Sequence, residues 1–190
     1  YTAGRLTSVS APAGRGSLTF AYASCAPGRL CSLTDWMSPV RSVSFGYDGS
    51  GRLTAVTDRE GKVTSYAYDG TSQRLTTITD ANGHVAVTNT YDAQGRVQTQ
   101  KDARGLTTGQ QTSFAYVDNG NGTQTTTVTY PATSFDPAWN PTQADTYNLT
   151  TWFITSQTLR PTSAETNTVS YSYDGNGFRD SVTDARGNTT

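Results

Sequence analysis

The sequence predicts an all-β chain, an antiparallel meander of β-hairpins forming a curved sheet, and three observations carry that reading. A unit of the form Tyr-Asp-x-x-Gly-Arg-Leu-Thr-x-Val-Thr-Asp-x-x-Gly, spelled out by residues 47–61, returns at intervals of 21 to 25 residues, so each copy is one supersecondary unit completed by its neighbours. Each copy carries Asp-x-x-Gly twice, a hairpin-turn signal. Composition agrees: 35 Thr, 18 Gly and 11 Tyr stand against two Glu and two Lys, so strand and turn formers abound, helix formers are scarce and essentially no helix is expected.

Taken in chain order, Gly4-Arg5-Leu6-Thr7-Ser8-Val9 and Leu33-Thr34-Asp35 are fragments of the unit, and the chain is expected to open inside one copy. Residues 1–116 read as a repeat sheet, broken at 23–34 by a connection that holds Cys25 and Cys31. Six residues apart around Pro27-Gly28, the two cysteines suit a turn closed by a disulfide, with a reduced pair as the alternative. A disulfide agrees with an extracytoplasmic destination. Two cysteines and a distant His84 cannot make a four-ligand zinc site.

Hairpin turns are expected where Asp and Gly recur three apart: Asp48 with Gly51, Asp58 with Gly61, Asp80 with Gly83, Asp92 with Gly95, Asp102 with Gly105, Asp174 with Gly177 and Asp184 with Gly187. The Asp carboxylate accepts a backbone N–H two residues on, and the Gly takes the left-handed conformation that restores pairing. Asp69-Gly70-Thr71-Ser72 lacks the final Gly and predicts a longer loop. The repeated carboxylates are therefore backbone acceptors, too sparse for a calcium loop.

Aromatic pairs two residues apart recur at the repeat period: Phe20/Tyr22, Phe45/Tyr47, Tyr66/Tyr68, Phe114/Tyr116 and Tyr171/Tyr173, with Asn89/Tyr91 as the defective rung. Residues i and i+2 of a strand share a face, so these rings are expected to stack as a ladder along one side of the sheet. Packing is the simplest role for such a ladder. Stacking against sugars is the functional alternative.

Residues 117–165 interrupt the repeat. They read as an inserted long hairpin packed on neighbouring wall, strands at 123–130 and 146–159 separated by a Pro-rich segment at 131–145; a protruding loop that displays Phe135 and Trp139 to a partner is the alternative. Residues 166–190 resume the repeat and stop inside a copy, and the whole is read as one structural domain. With 34% hydrophobic residues and a net charge of −1, the core must be thin, and neither a nucleic-acid surface nor an anionic-membrane surface is indicated. No stretch approaches the roughly 18 apolar residues of a membrane span.

Tyr-Asp-x-x-Gly-Arg-Leu-Thr, followed by Thr-Asp-x-x-Gly and a strand ending at the next Tyr-Asp, resembles the YD repeats of the Rhs family. That family includes bacterial Rhs polymorphic toxins, TcC components of Tc toxins, wall-associated contact-inhibition proteins and teneurins. The resemblance covers residues 40–116 and 165–190 well and 1–39 loosely. It implies a β-hairpin sheet coiling into a hollow shell or barrel that, in bacterial members, encloses a toxic C-terminal segment. Those shells end in a self-cleaving aspartate pair near Asp-Pro-x-Gly-Leu, whereas Asp136-Pro137 here is followed by Ala138-Trp139, so no cleavage residue is assigned.

The function expected is a non-catalytic, secreted or cell-surface shell module, without cofactor or metal, that encapsulates or presents a toxin or other C-terminal cargo. Its partners would be flanking repeats of the parent chain and that cargo, with edge-to-edge self-association a further expectation. The alternative is a cell-surface adhesion or carbohydrate-binding module, with a surface protein or glycan as partner. An enzyme has no constellation to support it.

Overall fold

The computed structural model describes residues 1–22, 24–134 and 136–190, in two compact units, Tyr1–Asn89 and Thr90–Thr190. Both are antiparallel meanders in which sequence neighbours pair. The first holds β1 (Ser8–Ser10), β2 (Ser17–Ala21), β3 (Ser32–Thr34), β4 (Ser42–Tyr47), β5 (Leu53–Thr57), β6 (Val63–Tyr68), β7 (Leu75–Thr79) and β8 (Val85–Tyr91), each hydrogen-bonded to the next. The second holds β9 (Val97–Asp102), α1 (Ala103–Thr108), β10 (Thr112–Asp118), β11 (Thr123–Thr129), β12 (Thr142–Asn148), β13 (Ile154–Arg160), β14 (Asn167–Tyr173) and β15 (Arg179–Thr183). Its strands also pair in chain order.

Register sorts the side chains onto two unlike faces, because residues opposite one another in a ladder share a face. In the first unit one face carries Val9–Leu18, Phe20–Leu33–Val43, Phe45–Val56 and Tyr66–Ile78–Val87. The other carries Ser8–Thr19–Thr34–Ser42 and Ser32–Ser44–Thr57. The second unit, taken by itself, has a hydroxyl row Thr125–Thr146–Ser156–Ser170–Thr183. The opposite face carries Phe114–Val128 and Tyr171–Val182, with Asp145 held between the amides of Gln143 and Gln157. Among the described residues only Cys31, 4% exposed, is fully withdrawn from solvent as a hydrophobic side chain. Ladder hydrogen bonds and cross-strand pairs, about 0.2–1 kcal/mol each, therefore do the work that a core does elsewhere.

A bulge marks the start of the unit. Gly46 faces Ala55 but Tyr47 faces Leu53, and Ala67 faces Thr77 but Tyr68 faces Leu75, leaving Thr54 and Thr76 as the extra residues. The Thr of Gly-Arg-Leu-Thr is thus a bulge residue, which bends the strand and re-aims the Leu and Tyr beside it.

Two expectations are corrected. Asp102 and Gly105 do not make a hairpin turn: Asp102 is the N-cap of α1, its Oδ1 accepting from Gly105 N at 2.8 Å, and Gly109 closes the helix at φ 80°. Gly105 has no positive φ and sits inside the helix, where an added Cβ would lie 2.1 Å from Gln110 O. Ala103 and Arg104 favour helix, and the carboxylate serves a cap three residues on as readily as a turn.

The second correction concerns 146–159, which is no single strand. β12 ends at Asn148 and β13 starts at Ile154, since Asn148 Oδ1 accepts Thr150 N and Thr151 N and reverses the chain. Tyr147-Asn148 followed by Trp152-Phe153-Ile154-Thr155 is in fact a degenerate copy of the unit. It carries the same bulge, between Thr146/Ser156 and Tyr147/Ile154. Its Asn148 N donates to Phe153 O, as Asp69 N donates to Arg74 O in the longer turn.

Candidate functional site

The corner where each unit begins gathers most of the chain's polar chemistry. Asp48 Oδ1 accepts Ser50 N at 2.9 Å and Arg52 N at 3.0 Å, while Gly51 N donates to Asp48 O. The same pattern of side-chain acceptance two and four residues on recurs at Asp58, Asp80, Asp92, Asp174 and Asp184. Gly51, Gly61, Gly83, Gly95, Gly177 and Gly187 all have φ between 75° and 86°, a region costly to residues with a Cβ.

The second carboxylate oxygen takes a cation where one is supplied. Arg52 Nε donates to Asp48 Oδ2 at 2.6 Å and Arg96 Nε to Asp92 Oδ2 at 2.8 Å. The Arg52 backbone N–H, then its guanidinium, hold Asp48 below the usual carboxylate range. At Asp92 desolvation pulls the other way, yet the Arg96 backbone and side-chain donors outweigh it and the pKa is lowered. His84 N and Asn82 N lower Asp80 against its desolvation. The side chain and backbone of Asn188 lower Asp184.

Each corner is then fastened to the strand that returns beside it. Tyr68 OH donates to Leu53 O at 2.7 Å, and Arg52 stacks over the same ring, 4.8 Å from its centroid. Tyr116 OH donates to Val97 O at 2.9 Å beneath Arg96, 4.2 Å away. Tyr22 bonds Leu6 O beneath Arg5, and Tyr47 bonds Leu30 O. Tyr173 bonds Ile154 O and stacks on Phe153, centroids 4.7 Å apart, so Phe153 takes the place of the Arg. At the expected defective rung, Asn89 Nδ2 donates to Leu75 O at 3.0 Å.

The aromatic pairs thus serve two purposes. Phe20, Phe45, Tyr66 and Phe114 lie in the apolar rows, and Tyr22, Tyr47, Tyr68, Tyr116 and Tyr173 are clamps whose hydroxyls reach a neighbouring backbone. What stacks on Tyr22, Tyr68 and Tyr116 is a guanidinium rather than the next ring of a ladder. Sequence pattern located the tyrosines but missed the partner. The signal lay in the Gly-Arg pair one hairpin earlier: Gly4-Arg5, Gly51-Arg52 and Gly95-Arg96.

Cys25 and Cys31 are bonded, with Cα atoms 5.4 Å apart. Trp139, which only the alternative reading puts on display, is half-buried: its indole N–H donates to Arg160 O at 3.3 Å and its ring lies under Arg160, 5.0 Å away. Phe135 lies outside the described residues. His84 is exposed, Nδ1 3.8 Å from Asp80 Oδ1. Among the described residues no three His, Cys, Asp or Glu side chains converge as a metal site, and no helix is long and apolar enough to cross a membrane.

Among the described residues, several clefts open between these elements. One of about 440 Å³ lies over Leu18, Leu33 and Val43 beside Asp35 and Arg41, and one of about 470 Å³ lies between the disulfide loop and the Asp48 turn. In the second unit, α1 and the Pro-rich loop enclose about 710 Å³ lined by Gln100, Gln110, Gln111 and Pro131. The fourth, about 350 Å³, is lined by Asn148, Phe153, Tyr171, Tyr173 and Asp174.

Against known proteins, residues 47–85 and 71–107 match the RHS Repeat family. No curated protein matches the sequence. Among solved structures, the chain is similar to the crystal structure of TcdB2-TccC3, with 13% identity, TM-score 0.49, 88% of this chain and 11% of that chain covered. It is also similar to TcdB2-TccC3 without its hypervariable C-terminal region, with 15% identity, TM-score 0.47, 92% of this chain and 12% of that one. The chain thus spans about an eighth of the length of that last structure's chain.

Proposed function

We propose that the chain, whose residues 47–107 match the RHS Repeat family, is a wall section of a larger Rhs/YD-repeat shell outside the cytoplasm, which encloses or presents a C-terminal cargo and has no chemistry of its own. The observation that carries this reading is the clamp, in which the Tyr of one hairpin is held by the carbonyl and the Arg or Phe of the hairpin before it. Such a corner is incomplete without its neighbour, so stability accrues by addition along the array. A sheet with two solvated faces and no core of its own suits a wall better than a self-sufficient binding domain.

The cargo reading is tested on the parent chain by limited proteolysis of its C-terminal segment, with and without the repeats folded. Protection of that segment that vanishes when Arg96 and Tyr116 are replaced by Ala supports enclosure by the wall. Equal cleavage in both chains overturns enclosure.

A further inference from the structure

Four asparagines stand directly before a glycine: Asn82-Gly83, Asn119-Gly120, Asn121-Gly122 and Asn176-Gly177. In such a pair the side-chain amide lies next in the chain to a backbone N–H that no Cβ shields, so Gly N can attack Asn Cγ and expel ammonia. The reaction needs a Gly N–H not engaged elsewhere, a Cγ made electrophilic, and access to water. The four pairs differ in which of these they meet.

At Asn82 and Asn176 the glycine closes an Asp-x-x-Gly turn and its N–H is spent there: Gly83 N donates to Asp80 O and Gly177 N to Asp174 O, both at 3.0 Å. Gly120 N donates to Asp118 Oδ1 at 2.9 Å. Attack by any of these three nitrogens first costs a hydrogen bond. Residues 119–122 occupy the same frame, Asn119 N donating to Thr123 O as Asp48 N donates to Arg52 O, yet Gly122 N has no partner among the described residues. The electrophile is prepared at the same place. Asn121 Oδ1 accepts Thr123 Oγ1 at 2.6 Å and Thr123 N at 3.2 Å, two donors on the oxygen where negative charge develops when Cγ is attacked. Thr123 Oγ1 in turn accepts Asn119 Nδ2 at 2.9 Å, which directs its own hydrogen toward Asn121. Asn82 is the rival, since its Oδ1 accepts Lys62 Nζ at 3.2 Å, and the occupied Gly83 N–H is what separates the two. Asn121 and Gly122 are both exposed.

We propose that Asn121 is a self-modification site, deamidated by Gly122 N within the folded turn. Gly122 N gives its proton to a base from solvent and bonds to Asn121 Cγ; the Cγ–Nδ2 bond breaks and Nδ2 takes up a proton and leaves as ammonia. The product is a five-membered succinimide, which water opens at Cγ to aspartate or at the main-chain carbonyl to isoaspartate. Isoaspartate routes the backbone through the side-chain methylene between two ties of this loop, Asn119 N to Thr123 O and Leu149 N to Gly122 O at 2.9 Å. The second tie fastens the hairpin to the corner that follows Asn148. The modification therefore adds a negative charge at the hairpin tip and displaces the carbonyl that holds Leu149.

The site is tested by incubating the folded chain at mildly alkaline pH and following each asparagine by mass spectrometry with fragmentation, isoaspartate being read by methyltransferase labelling, and by repeating the measurement in urea. In urea the four sites, all Asn-Gly, should react at similar rates. In the folded chain Asn121 should lead the other three by about three- to tenfold, the factor that one occupied Gly N–H withholds. Thr123→Val, which removes the Oγ1 donor and keeps a β-branched strand residue, should slow Asn121 by about the same factor and leave Asn176 unchanged. Asn176 also reports on folding, because its rate rises to the urea value if its turn opens; in that event the wild-type ranking alone decides. A folded chain in which Asn82, Asn119 or Asn176 reacts as fast as Asn121, or a folded Thr123→Val chain in which Asn121 reacts as fast as before, would overturn the assignment.

Discussion

At the residue scale the turn aspartates do two jobs with one carboxylate, holding the backbone with Oδ1 and, at Asp48 and Asp92, an Arg with Oδ2. Their lowered pKa values mean that the unfolded chain takes up protons before the folded one does. This contribution to stability is therefore complete above the unfolded Asp value of about 3.9 and is lost as pH falls through the lower folded values. Urea midpoints should be level from pH 7 to about 4.5 and decline below about 4, and the double variant Asp48→Asn, Asp92→Asn should flatten that decline. An equally steep decline in the variant would assign acid lability to other groups. The glycine of the same turn gives a second prediction. Gly95 has φ 81°, so Gly95→Val is strained at the backbone, at about 1–2 kcal/mol, whereas Gly105→Ala fails by collision with Gln110 O. An unchanged denaturation midpoint for Gly95→Val would mean that the turn relaxes to another conformation.

At the scale of the element, the unit is a hairpin plus a clamp, and the clamp should be measurable as a coupling. Arg96 touches both Asp92 and the Tyr116 ring, and Tyr116 OH holds Val97 O. Tyr116→Phe should cost about 0.5–1.5 kcal/mol for the lost hydrogen bond, and Arg96→Ala together with Tyr116→Leu should show a coupling of about 0.5–1 kcal/mol. Simple additivity in the cycle would reduce the stacked Arg to a bystander. Turn chemistry made most of these elements readable: wherever Asp is followed by Gly three on and an i+4 residue on the next strand, the hairpin is there. Where the same letters fold differently, at Asp102 with Gly105, the difference is the N–H that the carboxylate captures, which depends on Gln110 and Gly109 downstream. The copy at 147–155 stayed hidden because Trp152 fills the glycine position and Asn148 the Asp position, so the two letters that announce a turn were both absent.

At the scale of the whole molecule, the clamp makes a prediction about growth of the array. Phe178 occupies the position from which Arg52, Arg96 and Phe153 hold the Tyr of the following strand, and it is 72% exposed. A YD hairpin joined after Thr190, with its Tyr in register, should cover that ring as Tyr173 covers Phe153 and take the carbonyl of Arg179 as Tyr173 takes that of Ile154. The ring contact is worth about 0.5–1.5 kcal/mol beyond burial and the hydrogen bond about 1 kcal/mol, and the added strand also covers an open ladder edge that invites pairing between copies. Joining one hairpin should therefore raise the thermal midpoint and lower concentration-dependent association together, and joining the same hairpin with its Tyr changed to Ser should lose most of the first effect and little of the second. Sedimentation and thermal unfolding of the two extended chains separate the contributions. Equal midpoints with Tyr and with Ser would show that edge pairing alone joins one repeat to the next, and that the clamp fixes the shape of each corner without setting the stability of the array.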